Sequence, residues 1–372
     1  MSVTPPATVR TSRRLADGRE VIYFDDGAKG PRNGIDRRPL GERADAGELR
    51  LDALTGDWVA IAGHRQARTF LPSRDDCPLC PTRGRALASE IPESAYDVVV
   101  FENRFPSFSD QGAVGAAGEG LLLGGRAHGR CEVVCFTSDH DASFAALSPS
   151  RVRTVIEAWV DRTAELSRLP GIEHVLCFEN RGPEIGVTLH HPHGQIYAYP
   201  FIPARVVTLL DAARRHHAET GRLLGADILA AERQDGERMV IEGEHWSAYV
   251  PYAARWPLEV HLVPHRDVAD LPSLTAQERD ELADVHQRLF RGLDRYYTAA
   301  DGEPVRLPYI AAWHQAPVRR GREVSRLHLQ VMSVLRSPGR LKYVAGSESA
   351  AGAWVNDVQP ERIAERLRQV VG

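Results

Sequence analysis

Two stretches of this chain repeat one pattern, and that repetition limits the folds open to it. "CEVVCFTSDHDASFAALSPSRVRTVIEAW" begins at Cys131, and "LEVHLVPHRDVADLPSLTAQERDELADVH" begins at Leu258. Glu132 matches Glu259, Val133 matches Val260, Phe144 matches Leu271 and Leu147 matches Leu274, all at a separation of 127 residues. Both copies read as a strand, a loop and an amphipathic helix. Val152, Val155, Ile156, Trp159 and Val160 form the apolar stripe of the first helix. Leu282, Val285, Leu289, Phe290 and Leu293 form that of the second. Ser148 and Thr275 stand in front as helix caps. The echo extends both ways, from "YDVVVFENRFPSF" and "HWSAYVPYAARWP" ahead to "HHPHGQIYAYP" and "SRLHLQVMSVL" behind. Each half reads as strand, strand, helix, strand, strand: an antiparallel α+β unit present twice.

The remaining sequence is placed around that duplication. Residues 1–45 are rich in Arg, Asp, Gly and Pro and read as an extended arm, leaving halves at 46–203 and 204–372. A turn at Thr55-Gly56 leads into a strand, and Gly-rich Asp110–Arg130 reads as a mobile loop. The net charge of -4 gives no basic field for nucleic acid, and no run is apolar enough to span a membrane. The polar N-terminus has no leader pattern, so a cytoplasmic protein is expected. Five cysteines fit a reducing compartment.

Chemistry concentrates in two motifs. Cys77 and Cys80 in "DCPLCP" have the spacing that lets two thiolates reach one zinc, or form a redox or structural pair. With no second such pair, the missing ligands would be His140 and one histidine of "TLHHPHGQ". Cys131, Cys135 and Cys177 lie on apolar strand patterns and read as buried packing residues. In an extended chain His191, His193 and Gln195 face one side, with Pro192 limiting the backbone between the histidines. A neutral imidazole is nucleophilic near pH 7, and a neutral amide suits a phosphoryl group gaining charge. Gly194 leaves room for a bulky group to approach the backbone.

"LTGDWVAIAGHRQAR", "CPLC", "FENRFPSF", "FENRG", "HPHGQ", "WHQAP" and "LKYVAGSE", which follow one another along most of the chain in the family's order, resemble segments of the galactose-1-phosphate uridylyltransferases of the histidine-triad superfamily. The resemblance implies two histidine-triad-like halves in one chain, with antiparallel sheets and packed helices. It makes His193 the uridylylated nucleophile and Gln195 the donor to the transferring phosphoryl group. It makes Cys77, Cys80, His140 and His191 a structural zinc site. It places Arg65 and Arg68 near the nucleotide phosphates, Asn103 and Phe105 at the uridine, Asn180 near the substrate phosphates, and Thr188 in the substrate site where the family often has Ser, keeping a hydroxyl. Lys342, Tyr343 and Glu348 match a C-terminal segment that reaches the hexose in a homodimer. The implied partners are UDP-glucose, galactose 1-phosphate, glucose 1-phosphate and UDP-galactose. Many relatives also hold iron through a Glu and three histidines. Here only His314 and His328 match, with Gln330 and Leu209 at the other two positions, so no iron is expected. His190 has no role in this pattern. The alternatives are a nucleoside-diphosphate-sugar phosphorylase, a nucleotide hydrolase and a non-catalytic zinc module. Gln195 speaks against the hydrolase, which would carry a histidine there, and the charge gives the binding module no support.

Overall fold

The computed structural model describes residues 7–41, 47–67, 70–83, 88–110 and 116–372. One continuous sheet of 11 strands spans both halves. Its strands are β1 (Thr8–Arg14), β2 (Glu20–Asp26), β3 (Val98–Glu102), β4 (Arg130–Cys135), β5 (His174–Arg181) and β6 (His193–Tyr199). They continue with β7 (Met239–Glu242), β8 (Trp246–Tyr249), β9 (Leu258–Pro264), β10 (Tyr309–His314) and β11 (His328–Ser333). In space the order is β1-β2-β3-β4-β6-β5-β10-β11-β9-β8-β7, all neighbours antiparallel. The two halves therefore meet at β5 and β10, around a local pseudo-twofold axis that exchanges β6 with β11 and β4 with β9.

Helices α1 (Pro149–Leu166) and α4 (Ala276–Asp294) pack against each other and against the sheet. Their predicted stripes are buried with Val134, Phe136, Val260 and Leu262 in one core, apart from Val160, which packs half-buried against it. A large apolar side chain so buried contributes about 1.5–3 kcal/mol. Both helices start as expected. Ser148 Oγ accepts from Arg151 N, and Thr275 forms a reciprocal capping box with Glu278. Between them in sequence lie α2 (Ala204–Thr220) and α3 (Leu224–Asp235), and α5 (Gly346–Ala351) and α6 (Pro360–Val371) follow.

Three expectations are corrected. First, the segment read as an arm is not one throughout: Thr8–Arg14 and Glu20–Asp26 are sheet strands. The short run Val21–Phe24 is buried along its length, an apolar signal hidden in a polar composition. Second, the Gly-rich Asp110–Arg130 segment includes ordered strands. Ala116–Ala117 and Gly124–Arg126 join Glu48–Leu51 and Trp58–Ile61 in a four-stranded sheet. Third, the repeat slips by one residue within its strand. Glu132 binds Arg162 of α1 on the helix-covered face, at 2.8 and 2.9 Å. Glu259 lies on the opposite face, accepting from Gln330 at 2.6 Å. A strand inverts its faces with each residue, so a sequence offset cannot fix its register. Phe144 and Leu271 keep the predicted match, both in the common core.

The strand that carries the histidine motif explains its glycine. Along β6, His193, Gln195, Tyr197 and Tyr199 take one face, while buried Gly194, Ile196 and Ala198 take the other. A Cβ on Gly194 would lie 2.8 Å from the Phe178 carbonyl oxygen and 2.9 Å from Phe136 Cζ. Core contacts thus require this glycine, where room for an approaching ligand had been expected. Gly194→Ala is expected to destabilise the chain by about 1–3 kcal/mol in urea unfolding. An unchanged midpoint and slope would show that the backbone yields freely here.

Candidate active site and metal centre

The Cys77–Cys80 turn lies beside His140 and His191, and the four donor atoms all fall within 4.8 Å of one another. Cys80 Sγ is 3.4 Å from His140 Nδ1 and 3.6 Å from His191 Nδ1. His191 Nε2 lies 2.8 Å from both the Thr137 carbonyl oxygen and the Tyr96 hydroxyl. A carbonyl only accepts, so Nε2 carries the proton and Nδ1 offers its lone pair to the cluster. Burial holds His191 down at about 4, hence neutral near pH 7. Burial, then the neighbouring Cys77, pushes Cys80 up to about 12. A cation beside Cys80 would favour its thiolate. Two sulfurs and two neutral imidazoles form a donor set compatible with zinc, whose tetrahedral ligands stand about 3.3–3.8 Å apart.

The next residue on the same face is His193, at the start of β6. Its Nδ1 donates to the carbonyl oxygen of His191 at 2.7 Å. Nε2 is therefore the free lone pair, and burial holds the ring below the usual histidine range. The metal cluster and the imidazole are coupled directly: the backbone of one cluster residue fixes the tautomer of His193.

His193 lines two cavities. One, of 190 Å³, also receives Arg65, Asn103, Phe105, Thr188 and Gln195. The other, of 170 Å³, is lined by Asn180, Arg181, His190 and Arg306. Arg65 extends from the Gly63–Ala67 turn and donates to Ser107 Oγ at 2.8 Å and the Phe105 carbonyl at 3.2 Å. Asn103 Oδ1 accepts from Phe105 N at 2.9 Å, which shapes that loop. Arg68 lies outside the described residues. Lys342, Tyr343 and Glu348 line neither cavity. Lys342 pairs with Glu348 at 2.8 Å, and Tyr343 is exposed. His190, unexplained by its motif, borders the second cavity and is exposed.

That second cavity is also lined by Glu179, which with Arg181 was not singled out from the sequence, and Tyr309 packs behind them. Tyr309, from the C-terminal half, donates to Glu179 Oε1 at 2.9 Å. The Arg181 guanidinium sits 4.3 Å from the Tyr309 ring, donates to the Leu307 carbonyl and pairs with Asp294. Glu179 and Arg181 flank Asn180 in "FENRG", so the motif contained them. Their burial arises from β5–β10 pairing across the halves, which no local pattern encodes.

Burial pushes Glu179 up from 4.5 to about 7 despite the opposing charge of Arg181. Its stabilising contribution is complete below the unfolded carboxyl value and is lost as pH rises through about 7. Between pH 5 and 9 the wild type should lose about 3 kcal/mol of unfolding free energy relative to Glu179→Gln, read by urea titration. Parallel pH profiles for the two proteins would contradict this.

In the C-terminal half, the polar chain differs. His314 Nε2 donates to Gln330 Oε1 at 2.9 Å, and Gln330 Nε2 donates to Glu259 Oε1 at 2.6 Å. Among the described residues no helix is long and apolar enough to cross a membrane.

Comparison with known proteins agrees with this geometry. Residues 41–203 match the model of the galactose-1-phosphate uridyl transferase N-terminal domain, and residues 210–371 match that of the C-terminal domain. A galactose-1-phosphate uridylyltransferase of Streptomyces lividans is 48% identical, covering 97% of this chain and 98% of its own. The Thermotoga maritima enzyme of that name is 36% identical over 87% of this chain and 98% of its own. A solved uridylyltransferase structure superposes with a TM-score of 0.76 at 30% identity, over 87% of this chain and 98% of that one. An Arabidopsis thaliana ADP-glucose phosphorylase shares the fold, at 21% identity and a TM-score of 0.63 over 87% of this chain and 98% of that one. With a motif-bearing strand, a duplicated fold and full-length similarity in agreement, this chain belongs to the galactose-1-phosphate uridylyltransferase family.

Proposed function

We propose that the chain exchanges UMP between UDP-glucose and galactose 1-phosphate by double displacement at His193. The observation that carries this reading is the 2.7 Å bond from His193 Nδ1 to the His191 carbonyl, which presents Nε2 as a nucleophile. Nε2 attacks the α-phosphorus; the N–P bond forms as the bond to the bridging oxygen breaks. Glucose 1-phosphate departs with that electron pair. A phosphate oxygen of galactose 1-phosphate then attacks the same phosphorus, the N–P bond breaks and UDP-galactose leaves. Both acceptors are anionic, so no general base is needed. The His191 carbonyl supports the positive charge on the substituted imidazole, and the Gln195 amide donates to the transferring group. Arg65, Asn103, Phe105 and Thr188 give a recess for the nucleotide, with Arg68 assigned there by motif. Asn180 and buried Arg181 border a second recess suited to a sugar phosphate.

Cys77, Cys80, His140 and His191 would hold zinc, which supplies a cross-link with no open position for substrate. The iron site of relatives is assigned no occupant: Gln330 stands in place of a third histidine, and its amide is engaged by His314 and Glu259. The reading places Lys342, Tyr343 and Glu348 at the hexose of a partner's site in a homodimer, supported by their position away from both cavities. It retains 46–203 and 204–372 as the duplicated halves and the cytoplasm as the location.

The test is an acceptor assay. UDP-glucose with galactose 1-phosphate should yield UDP-galactose, whereas inorganic phosphate should yield little UDP. Faster turnover with inorganic phosphate would make the chain a phosphorylase.

A further inference from the structure

A cavity of 360 Å³ lies in the C-terminal half, away from His193, between α2, α3 and the sheet face opposite α1 and α4. Val206, Leu210, Leu224, Ile228, Val263 and Leu327 supply an apolar wall. His261, His314 and His328 form its polar side.

Its place in the sheet is the image of the nucleotide recess. On β6 Gln195 lies opposite Val133, which lies opposite Phe101. On β11 Gln330 lies opposite His261, which lies opposite Tyr249. The pseudo-twofold axis therefore relates His193-Gly-Gln195 to His328-Leu-Gln330. The device that orients the ring recurs as well. His193 Nδ1 donates to the carbonyl two residues back at 2.7 Å, and His328 Nδ1 donates to the Arg326 carbonyl at 3.3 Å. His328 Nε2 thus carries the ring's lone pair.

The surroundings differ from those of the catalytic recess. Arg326, the arginine among the lining residues, is engaged: its Nη2 donates to the Pro264 and His265 carbonyls at 2.8 Å and its Nε pairs with Asp267, while Arg205, near His314 and His328, is drawn toward Glu259. Glu232 is paired with Arg238 at 2.9 Å. Burial holds His314 at about 4 and His328 well down, so both imidazoles are neutral. A phosphate would find no unpaired cation among these groups. An apolar body bearing one donor would find a matching wall and acceptor.

We propose that this cavity is a second ligand site, which takes a small, uncharged, mainly apolar molecule whose O–H or N–H donates to His328 Nε2. The site is separate from the transferase chemistry and does not depend on that reading.

The test uses 4-fluorophenol and fluorobenzene, a pair differing in the donor, titrated into the full chain and followed by fluorine NMR. 4-Fluorophenol should bind saturably, one per chain and about tenfold more tightly than fluorobenzene, the factor for one hydrogen bond of ~1.4 kcal/mol. His328→Phe keeps a ring in place without the acceptor and should bring the two affinities within about twofold. Ile228→Trp, changed at a position 41% exposed and therefore tolerant, should fill the cavity and abolish binding of both. The proposal is overturned by no saturable binding, by equal affinities, or by a preference that survives His328→Phe. Binding that survives Ile228→Trp, or a stoichiometric metal ion lost in His328→Phe, overturns it too.

Discussion

His193→Asn should reduce uridylyl transfer by about 10⁴–10⁶-fold, the range seen when a covalent nucleophile is removed. Asn is the informative replacement because its amide N–H can still donate to the His191 carbonyl. The backbone around the metal cluster then keeps its acceptor satisfied, while the ring lone pair that would attack phosphorus is gone. The variant should retain zinc and a wild-type urea midpoint and still bind UDP-glucose. Loss of activity with an intact fold would assign the chemistry to Nε2. Retention of more than about a tenth of the activity would place the nucleophile elsewhere.

Cys80→Ala should remove zinc from the chain and lower transfer by more than about 100-fold, with a reduced unfolding midpoint. The physical reason is the route from cluster to nucleophile. Cys80 Sγ is the donor that approaches both His140 and His191 within 3.6 Å. Without it three donors remain, and the His191 ring loses the anchor opposite its Thr137 and Tyr96 contacts. The His191 carbonyl that holds the His193 tautomer then moves with the loosened backbone. Metal analysis, urea unfolding and kinetics on one preparation decide the matter. A zinc-free variant with wild-type kcat would uncouple the cluster from the nucleophile.

The duplication was legible because its clearest parts are local: a capping residue, a short turn and a helix stripe keep their spacing. Strand register was not, since Glu132 and Glu259 share a sequence offset yet face opposite sides of the sheet. The Val21–Phe24 strand was obscured by charged and glycine-rich flanks. At the site, histidines and cysteines are rare enough for their spacing to carry meaning, and Cys77, Cys80, His140 and His191 indeed lie together. The Glu179–Tyr309 contact was not legible. It joins residues 130 apart through strand pairing, and neither type is unusual where it stands. Gly194 shows a further limit: sequence identifies a place where Cβ is unwelcome, but not whether a ligand or the core excludes it.

The decisive measurement is incubation of the full chain with UDP-glucose carrying labelled α-phosphate, followed by peptide mapping. One label per chain should appear on His193 and pass to UDP-galactose when galactose 1-phosphate is added. Productive turnover with no labelled chain, or a label on any other residue, would contradict double displacement at His193.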